Sequence, residues 1–419
     1  MKERAIKKIE TACEECDSLL SDTYIHSGTS LSCQRCHHTV SSRPKQPVEQ
    51  PLAFALTSIL MLALAYCFPF MSFSASGVTK QIYFYQAMSS LADNGFTPIA
   101  IFLFLSLTLL PLVCLILIIS LHLNMERNTP NRAAIRRLKM LKIIKPWVMV
   151  DVFLVGILVA LIKIMSMAEV GFGLSFWAFC LFTLAFLKTL LSIDMHWLWH
   201  QHAGPLSQHT IEQSAATAKD ANLARCHHCG ELHPTADSRC RRCHSILSIR
   251  TQHSIQKTVA LLIAAAVFYI PANVFPIMDT RFLGQSEPST IIGGVILLWQ
   301  LGSYPVALVI FLASVMIPIA KMLAIAWLCC TATRNKPEHA SMQLKVYRIT
   351  ETIGRWSMID VFVVAILVAL VHLDGLVVVY PGNAALSFAM VVGLTMLSAL
   401  SFDPRIIWDP SPTSEQKSC

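Results

Sequence analysis

A chain of 419 residues that is 54% hydrophobic and only 14% charged, with mean hydropathy +0.56, is too apolar for a soluble globular protein, in which about 25% of residues are charged. The formal charge of +8 does not mark a nucleic-acid binder, because the Lys and Arg residues lie mostly beside apolar runs, where the positive-inside rule places them. Eight of the fourteen cysteines form four CxxC pairs, which excludes the disulfide framework of a small secreted domain and points to metal in a reducing compartment.

The chain opens on MKERAIKKIETACEEC, which is polar and has no apolar core. No cleavable signal peptide is read there, so the first span is expected to act as the insertion signal. Cys13, Cys16, Cys33 and Cys36 follow as CEEC, sixteen residues, CQRC. Four thiolates at this spacing fit a tetrahedral structural zinc site, each CxxC making one knuckle of a ribbon; a redox dithiol and an unliganded pair are the alternatives. So small a ribbon has almost no core, and metal would supply its folding free energy. His26, His37 and His38 could substitute as ligands, although four cysteines already close a site. A proline-rich linker from Arg43 to Pro51 leads into the first span, Leu52 to Phe68, ending in CFPFM. Polar Ser72 to Gln81 and Asp93 to Pro98 make the first outer loop. The second span, Ile99 to Leu121, is interrupted only by Pro111. Arg127 to Lys145 carries seven basic residues, with Ile135, Leu138, Leu141 and Ile144 at helical spacing, and should lie on an anionic membrane surface. The third span is Pro146 to Ile164 and the fourth is Leu174 to Leu191. Lys163 and Lys188, near opposite faces, are read as snorkelling.

From His200 to Asn222 the chain is polar and read as a linker. The pattern then restarts. Cys226, Cys229, Cys240 and Cys243, as CHHC and CRRC ten residues apart, make a second, tighter ribbon, so two structural zinc ions are expected. Ile255 to Pro276 is the fifth span, Pro305 to Cys330 the sixth, Arg355 to Leu373 the seventh and Ala384 to Phe402 the eighth. The third and seventh spans, PWVMVDVFLVGILVALIKI and RWSMIDVFVVAILVALVHL, agree at eleven of nineteen positions without a gap. Pro69 and Pro111 match Pro276 and Pro318 at an offset of 207, while Asp151, Asp194 and Trp199 match Asp360, Asp403 and Trp408 at 209. A repeat of this length makes half the chain the unit. The expected fold is an all-α integral membrane protein: two parallel repeats of four transmembrane helices, related by an axis along the membrane normal, each preceded by a small cytoplasmic zinc ribbon. The boundaries are 1–50 for the first ribbon and linker, 51–200 for the first module, 201–252 for the second linker and ribbon, 253–410 for the second module, and 411–419 for a tail. Basic residues crowd the loops on one side, which places both termini and both ribbons in the cytoplasm.

A charge inside hydrocarbon costs at least about 2.5–3.5 kcal/mol, so such residues usually face a bundle interior or a wet cavity. Asp151 and Asp360 lie about 9 and 7.5 Å inside the flanking Lys145 and Arg355, counting 1.5 Å per residue. Lys321, in IPIAKMLAIA, can bring its ammonium toward Asp360. Cys114 occupies the equivalent place in the first half, so the halves diverge at this point. Three readings stay open: a buried structural pair, an ionisable relay or substrate-contact site in a transporter, and shallow residues that orient the cytoplasmic ends. Ser314, Ser357 and Thr395 could line the same cavity, although such hydroxyls often bond backbone. Pro69, Pro111, Pro271, Pro276 and Pro318 suggest kinked helices. No nucleotide-binding motif, HExxH, GxSxG or Gly-rich phosphate loop is present in the sequence, and no enzyme is read from it.

Taken together, the paired ribbons, the FPF-type end of the first span, PWVMVD, RWSMID, PANVFPI, IPIAK and the closing RIIWD resemble the paraquat-inducible protein A family, including its lipophilic-envelope-spanning LetA branch, over nearly the whole chain. The first ribbon departs from the pattern in its long gap and in the HH after Cys36. The resemblance implies a bacterial inner-membrane protein working with a periplasmic MCE-domain partner that forms a lipid conduit. It also implies that Lys321, Asp360, Asp151, Ser314, Ser357 and Thr395 match polar positions of transmembrane pockets. The expected function is a subunit passing phospholipid between the inner membrane and that conduit, with protonation as a candidate drive because no ATP motif is present. The alternative is a non-transporting scaffold or stress and redox sensor that anchors a periplasmic partner.

Overall fold

A computed structural model describes residues 6–21, 25–75, 78–93, 97–125, 131–164, 169–212, 215–282, 285–300, 302, 304–334, 340–359, 361–363, 366, 372–373 and 377–409. It is mostly helical. Among these residues seven helical segments are long and apolar enough to cross a membrane: Glu49–Cys67, Thr97–Leu123, Arg132–Leu161, Leu174–Leu191, Ser254–Val274, Ala307–Ala332 and Ala384–Ser401. The third begins as the expected basic amphipathic helix, Arg132–Ile144, which buries Ala134, Ile135, Leu138 and Leu141. A short turn, Lys145–Trp147, then breaks it before Val150–Ile164 enters the apolar layer. Of the expected seventh span, residues 355–359, 361–363, 366 and 372–373 are described, and the others, Asp360 included, lie outside the described residues.

The all-α expectation needs correction at the end remote from the ribbons. Pro69–Ala75 runs between Val78–Tyr83 and Glu169–Phe172 in a three-stranded antiparallel sheet, with Met71 opposite Phe172 and Phe73 opposite Val170. The corresponding four-stranded sheet is formed by Met278–Phe282, Gln285–Ser289, His372–Leu373 and Val377–Pro381. Met71 to Ala75, MSFSA, alternates apolar and polar residues, the period of a strand with one covered face, whereas VTKQIY has no such period. Ser72, Ser74, Thr79, Lys80 and Gln81 make the stretch read as a polar loop. The linker after His200 is also more ordered than expected: His209–Glu212 pairs with Ile6–Ile9 at the amino terminus.

Two glycines fix how the first span of each half meets the last. Gly173 caps Leu174–Leu191 and its N–H donates to the Phe70 carbonyl at 3.1 Å. A Cβ there would stand 2.0 Å from the Pro69 carbonyl oxygen. Gly382 caps Asn383–Ser401, donates to the Ile277 carbonyl at 2.8 Å, and its Cβ would stand 2.1 Å from the Pro276 carbonyl oxygen. Both φ angles are ordinary, −80° and −88°; glycine is needed for close backbone approach.

The second and sixth spans each contain one π-helical turn, Leu105–Leu109 and Leu312–Met316. The wide bonds Leu110 N–H to Leu105 oxygen and Ile317 N–H to Leu312 oxygen fall one residue before Pro111 and Pro318, which have no N–H to donate. The two copies of the repeated stretch then meet each other. Phe153 and Phe362 pack edge to face at 5.4 Å, and a Cβ on Gly156 would lie 3.2 Å from Phe362 Cβ.

Candidate functional site

The eight paired cysteines gather into two buried clusters, Cys13, Cys16, Cys33 and Cys36, and Cys226, Cys229, Cys240 and Cys243, with all sulfurs of each set within 4.8 Å of one another. Cys13–Cys36 and Cys16–Cys33 sulfurs lie 3.5 Å apart, as do Cys226–Cys243 and Cys229–Cys240. Four Zn–S bonds of 2.3 Å in a tetrahedron would place sulfurs about 3.8 Å apart, so the donor sets fit a metal ion. The backbone fits as well. After the second cysteine of each knuckle comes a residue at positive φ, Asp17 at 59°, His37 at 58°, Gly230 at 78° and His244 at 58°. Its N–H returns to the carbonyl of the first cysteine, at 3.2, 2.9, 3.0 and 2.8 Å respectively. Three of the four are not glycine, and such conformations persist only where the surroundings over-determine them. Coordination by four sulfurs would do so. His26, His37 and His38 are not members of either cluster.

The first ribbon straddles both halves. Its acidic knuckle sends Glu14 to Lys142 at 3.1 Å and Arg225 at 2.8 Å, while Glu15 takes Arg348 of the second amphipathic helix, Ala340–Trp356. Burial by itself would raise the Glu15 carboxyl, but hydrogen bonds from His38 and Arg348 outweigh it and hold the group below the usual range. Arg348 also donates to the Cys36 carbonyl at 2.8 Å, and Asp17 meets Arg250 at 3.0 Å. The cysteines of this ribbon share a hydrophobic cluster with Ile325, Leu328, Leu344, Tyr347 and Phe402 of the second half. The second ribbon grips the first half with cations. Arg242 donates to the carbonyls of Trp199 at 3.1 Å and of Gly204 at the end of the helix Met195–Ala203, where the helix dipole favours positive charge. Lys139 reaches the Cys243 carbonyl at 2.5 Å and Lys142 that of His227. Burial and the Arg405 guanidinium, 3.2 Å from Nε2, push the His227 imidazole down to about 4, so the ring is neutral and accepts.

Asp194 and Asp403, matched in the sequence but given no role there, are paired caps. Asp194 accepts from the N–H of His196 and Trp197 and from the Ser41 hydroxyl at 2.6 Å. Asp403 accepts from the Arg405 N–H and from Thr251, N–H and hydroxyl. Ser41 and Thr251 precede the first and fifth spans, so each aspartate ties the entry of a half to its exit. Asp or Asn followed by a helix start is the cap signature that could have found them.

Inside the apolar layer, Lys321 is 3% exposed, and its Nζ has no hydrogen-bond partner among the described residues. The ammonium lies against Gly354, where a Cβ would be 2.9 Å from Nζ. Ser357, three residues on, is buried with its hydroxyl also unpartnered among the described residues. Ser314 is buried within the π-helical turn. Thr395 is buried, but its hydroxyl donates to the Val392 carbonyl of its own helix at 3.0 Å. Asp151 is half-buried in the first turn of Val150–Ile164, where the helix dipole favours a carboxylate. In the first half the positions matching Lys321 and Gly354 are Cys114 and Lys145, and Lys145 lies within electrostatic reach of Cys114. The lysine has exchanged helices: a cation the sequence appeared to lack in the first half arrives from the amphipathic segment instead.

These features define a polytopic membrane protein with two four-cysteine sites and a buried cation. The profile described as "PqiA: Paraquat-inducible protein A" matches residues 48–203 and again residues 255–411, and the chain belongs to that family. It is 39% identical over 405 residues, 97% of each chain, to the intermembrane transport protein PqiA of Escherichia coli (strain K12). It is 29% identical over 398 residues, 95% of this chain and 90% of the relative, to the lipophilic envelope-spanning tunnel protein A of the same strain. A probable intermembrane transport protein of Haemophilus influenzae is 28% identical over 404 residues, 94% of this chain and 95% of its own. No solved structure matches the chain.

Proposed function

We propose that the protein is an inner-membrane subunit that passes phospholipid between that membrane and a periplasmic MCE-domain conduit. In this reading residues 51–200 and 253–410 are two parallel four-span modules, each preceded by a cytoplasmic zinc ribbon, at 1–50 and 201–252, with a tail from 411. The paired glycines, aspartate caps and π-helical turns, each recurring once per half, support the repeat. The relatives named for intermembrane transport support the activity.

The observation that carries the proposal is Lys321. A buried ammonium in an apolar span is retained at a cost unless it has a counter-charge or a polar substrate to meet. Asp360 is the acid on the seventh stretch, three residues beyond Ser357, and is the proposed partner; Ser314, Ser357, Thr395 and Asp151 complete the polar set. A lipid phosphate can take the place of the carboxylate, and protonation of Asp360 would release the lysine to it. The test is lipid transport in a deletion strain complemented with Asp360→Asn or Lys321→Ala. A transport site loses activity at normal protein level, whereas a scaffold or sensor that merely anchors a partner keeps it. Reporter fusions at Lys219 and Glu338 check the orientation: both should read cytoplasmic.

A further inference from the structure

Between the two ribbons and the adjoining ends of the third and fourth spans lies a cavity of about 360 Å³. That is room for a solute rather than one or two waters. Three permanent cations line it, Lys142, Lys145 and Arg225, against two carboxylates, Glu14 and Asp194. Both carboxylates are already engaged, Glu14 by Arg225 and Lys142 and Asp194 by Ser41 and the backbone it caps. Lys145 has no ionic partner among the described residues, and the charged group across from it in the other half, Arg355, is another cation.

Two further atoms point the same way. Arg225, only 9% exposed, has a buried Nε without a partner among the described residues, and so has Nδ1 of His228 on the same wall. Buried polar groups are nearly always satisfied in native proteins. A cavity whose wall holds an unused buried guanidinium nitrogen and whose exposed rim carries the Lys145 ammonium suits an anion, and arginine with lysine is a usual pairing for phosphate. Pro146, Ile193 and Met195 close the cavity on the side of the apolar spans, so a ligand carrying acyl chains could leave them toward the bilayer.

We propose that this cavity binds a phosphate-bearing anion of headgroup size, with Lys145 supplying the charge and Arg225 Nε and His228 Nδ1 the buried hydrogen-bonding atoms. The site is separate from Lys321, and the proposal does not rest on the transport reading. The full chain, purified in detergent, is dialysed against radiolabelled inorganic phosphate and, separately, titrated with dihexanoyl phosphatidylglycerol, with zinc measured in every variant. Saturable binding of one probe per chain is expected, weakened about tenfold or more in Lys145→Met, the effect of losing one charge-assisted contact. Binding of phosphate assigns a soluble anion as the source; binding of the lipid alone assigns a membrane headgroup. His228→Phe should weaken the same probe, and if it loses zinc, Lys145→Met, which lies outside both ribbons, decides. No binding of either probe at millimolar concentration overturns the proposal, as does binding that is undiminished in Lys145→Met.

Discussion

The stretches 48–203 and 255–411 are alike at their two ends and unlike in between. At the far end Gly173 and Gly382 press against Pro69 and Pro276; at the ribbon end Asp194 and Asp403 cap and clasp. Between them the lysine sits on the amphipathic segment in one half, at Lys145, and on the second helix of the other, at Lys321. The ends carry backbone geometry that either half needs in order to close, so they tolerate few substitutions. In the middle a cation comes from different helices, buried at Lys321 and exposed at Lys145. The ribbons differ in the same spirit: an acidic knuckle reaches for basic helices, whereas a basic knuckle reaches for carbonyls.

Breaking a ribbon should have the largest effect. Cys240→Ser removes one of the four clustered sulfurs, and if the module folds on a zinc ion, as proposed, that binding would supply about 10 kcal/mol or more of its folding free energy. Zinc content measured on the purified chain is expected to fall from about two ions to about one, with a lower protein level; full occupancy would mean the ligands are misassigned. The shared frame comes next. Gly173→Ala and Gly382→Ala each drive a methyl into a backbone carbonyl that cannot rotate away, and about 4 kcal/mol or more of destabilisation is expected. Thermal unfolding followed by size exclusion should show both variants equally damaged; a large difference would mean the halves do not depend alike on this contact.

The lysine exchange offers a finer test. Gly354→Lys alone puts a side chain and a second ammonium onto Lys321 Nζ, and about 3 kcal/mol of destabilisation is expected. Adding Lys321→Cys rebuilds the arrangement of the first half and should restore the protein level. A double variant no better than the single one would show that the two lysines do not occupy equivalent places. The smallest effect is pH-dependent. Burial alone would raise the Asp403 carboxyl, but hydrogen bonds and charge from Arg405 hold it down at about 2. Its folded pKa is thus below its unfolded one, so its contribution is complete above about pH 4 and disappears as the pH falls toward 2, roughly 2 kcal/mol in all. Asp403→Asn should remove that part of the acid-unfolding limb and leave the neutral-pH charge state of its neighbours unchanged.

What the sequence disclosed was whatever is local or long. CEEC and CHHC bring their sulfurs together through turns four residues long, and an apolar run of some twenty residues needs no partner to be read as a span. The far-end sheets escaped because PFMSFSA and VTKQIY are short, and half their residues are serine, threonine or other polar types. Gly173 and Gly382 are single glycines whose reason lies about a hundred residues away in Pro69 and Pro276. The position matching Lys321 holds Cys114, while the cation within electrostatic reach of it is Lys145, on a different segment. Distances between helices, not patterns along them, carried that information.

The π-helical turns give each span a phase as well as a length. One residue beyond the α-helical count sits in Leu312–Met316, and everything after it is turned by about 100° relative to an unbroken α-helix. Lys321, 3% exposed, keeps its inward phase because the turn absorbs that extra residue. Pro318→Ala would restore the N–H that a regular turn needs, and closing the turn with all five residues kept would leave every apolar residue downstream still apolar and the span still long enough. The sequence would look almost untouched, yet the ammonium would swing round toward the acyl chains. Such a span works like a key cut to a depth, in which a shift of one notch leaves the metal intact and the lock shut.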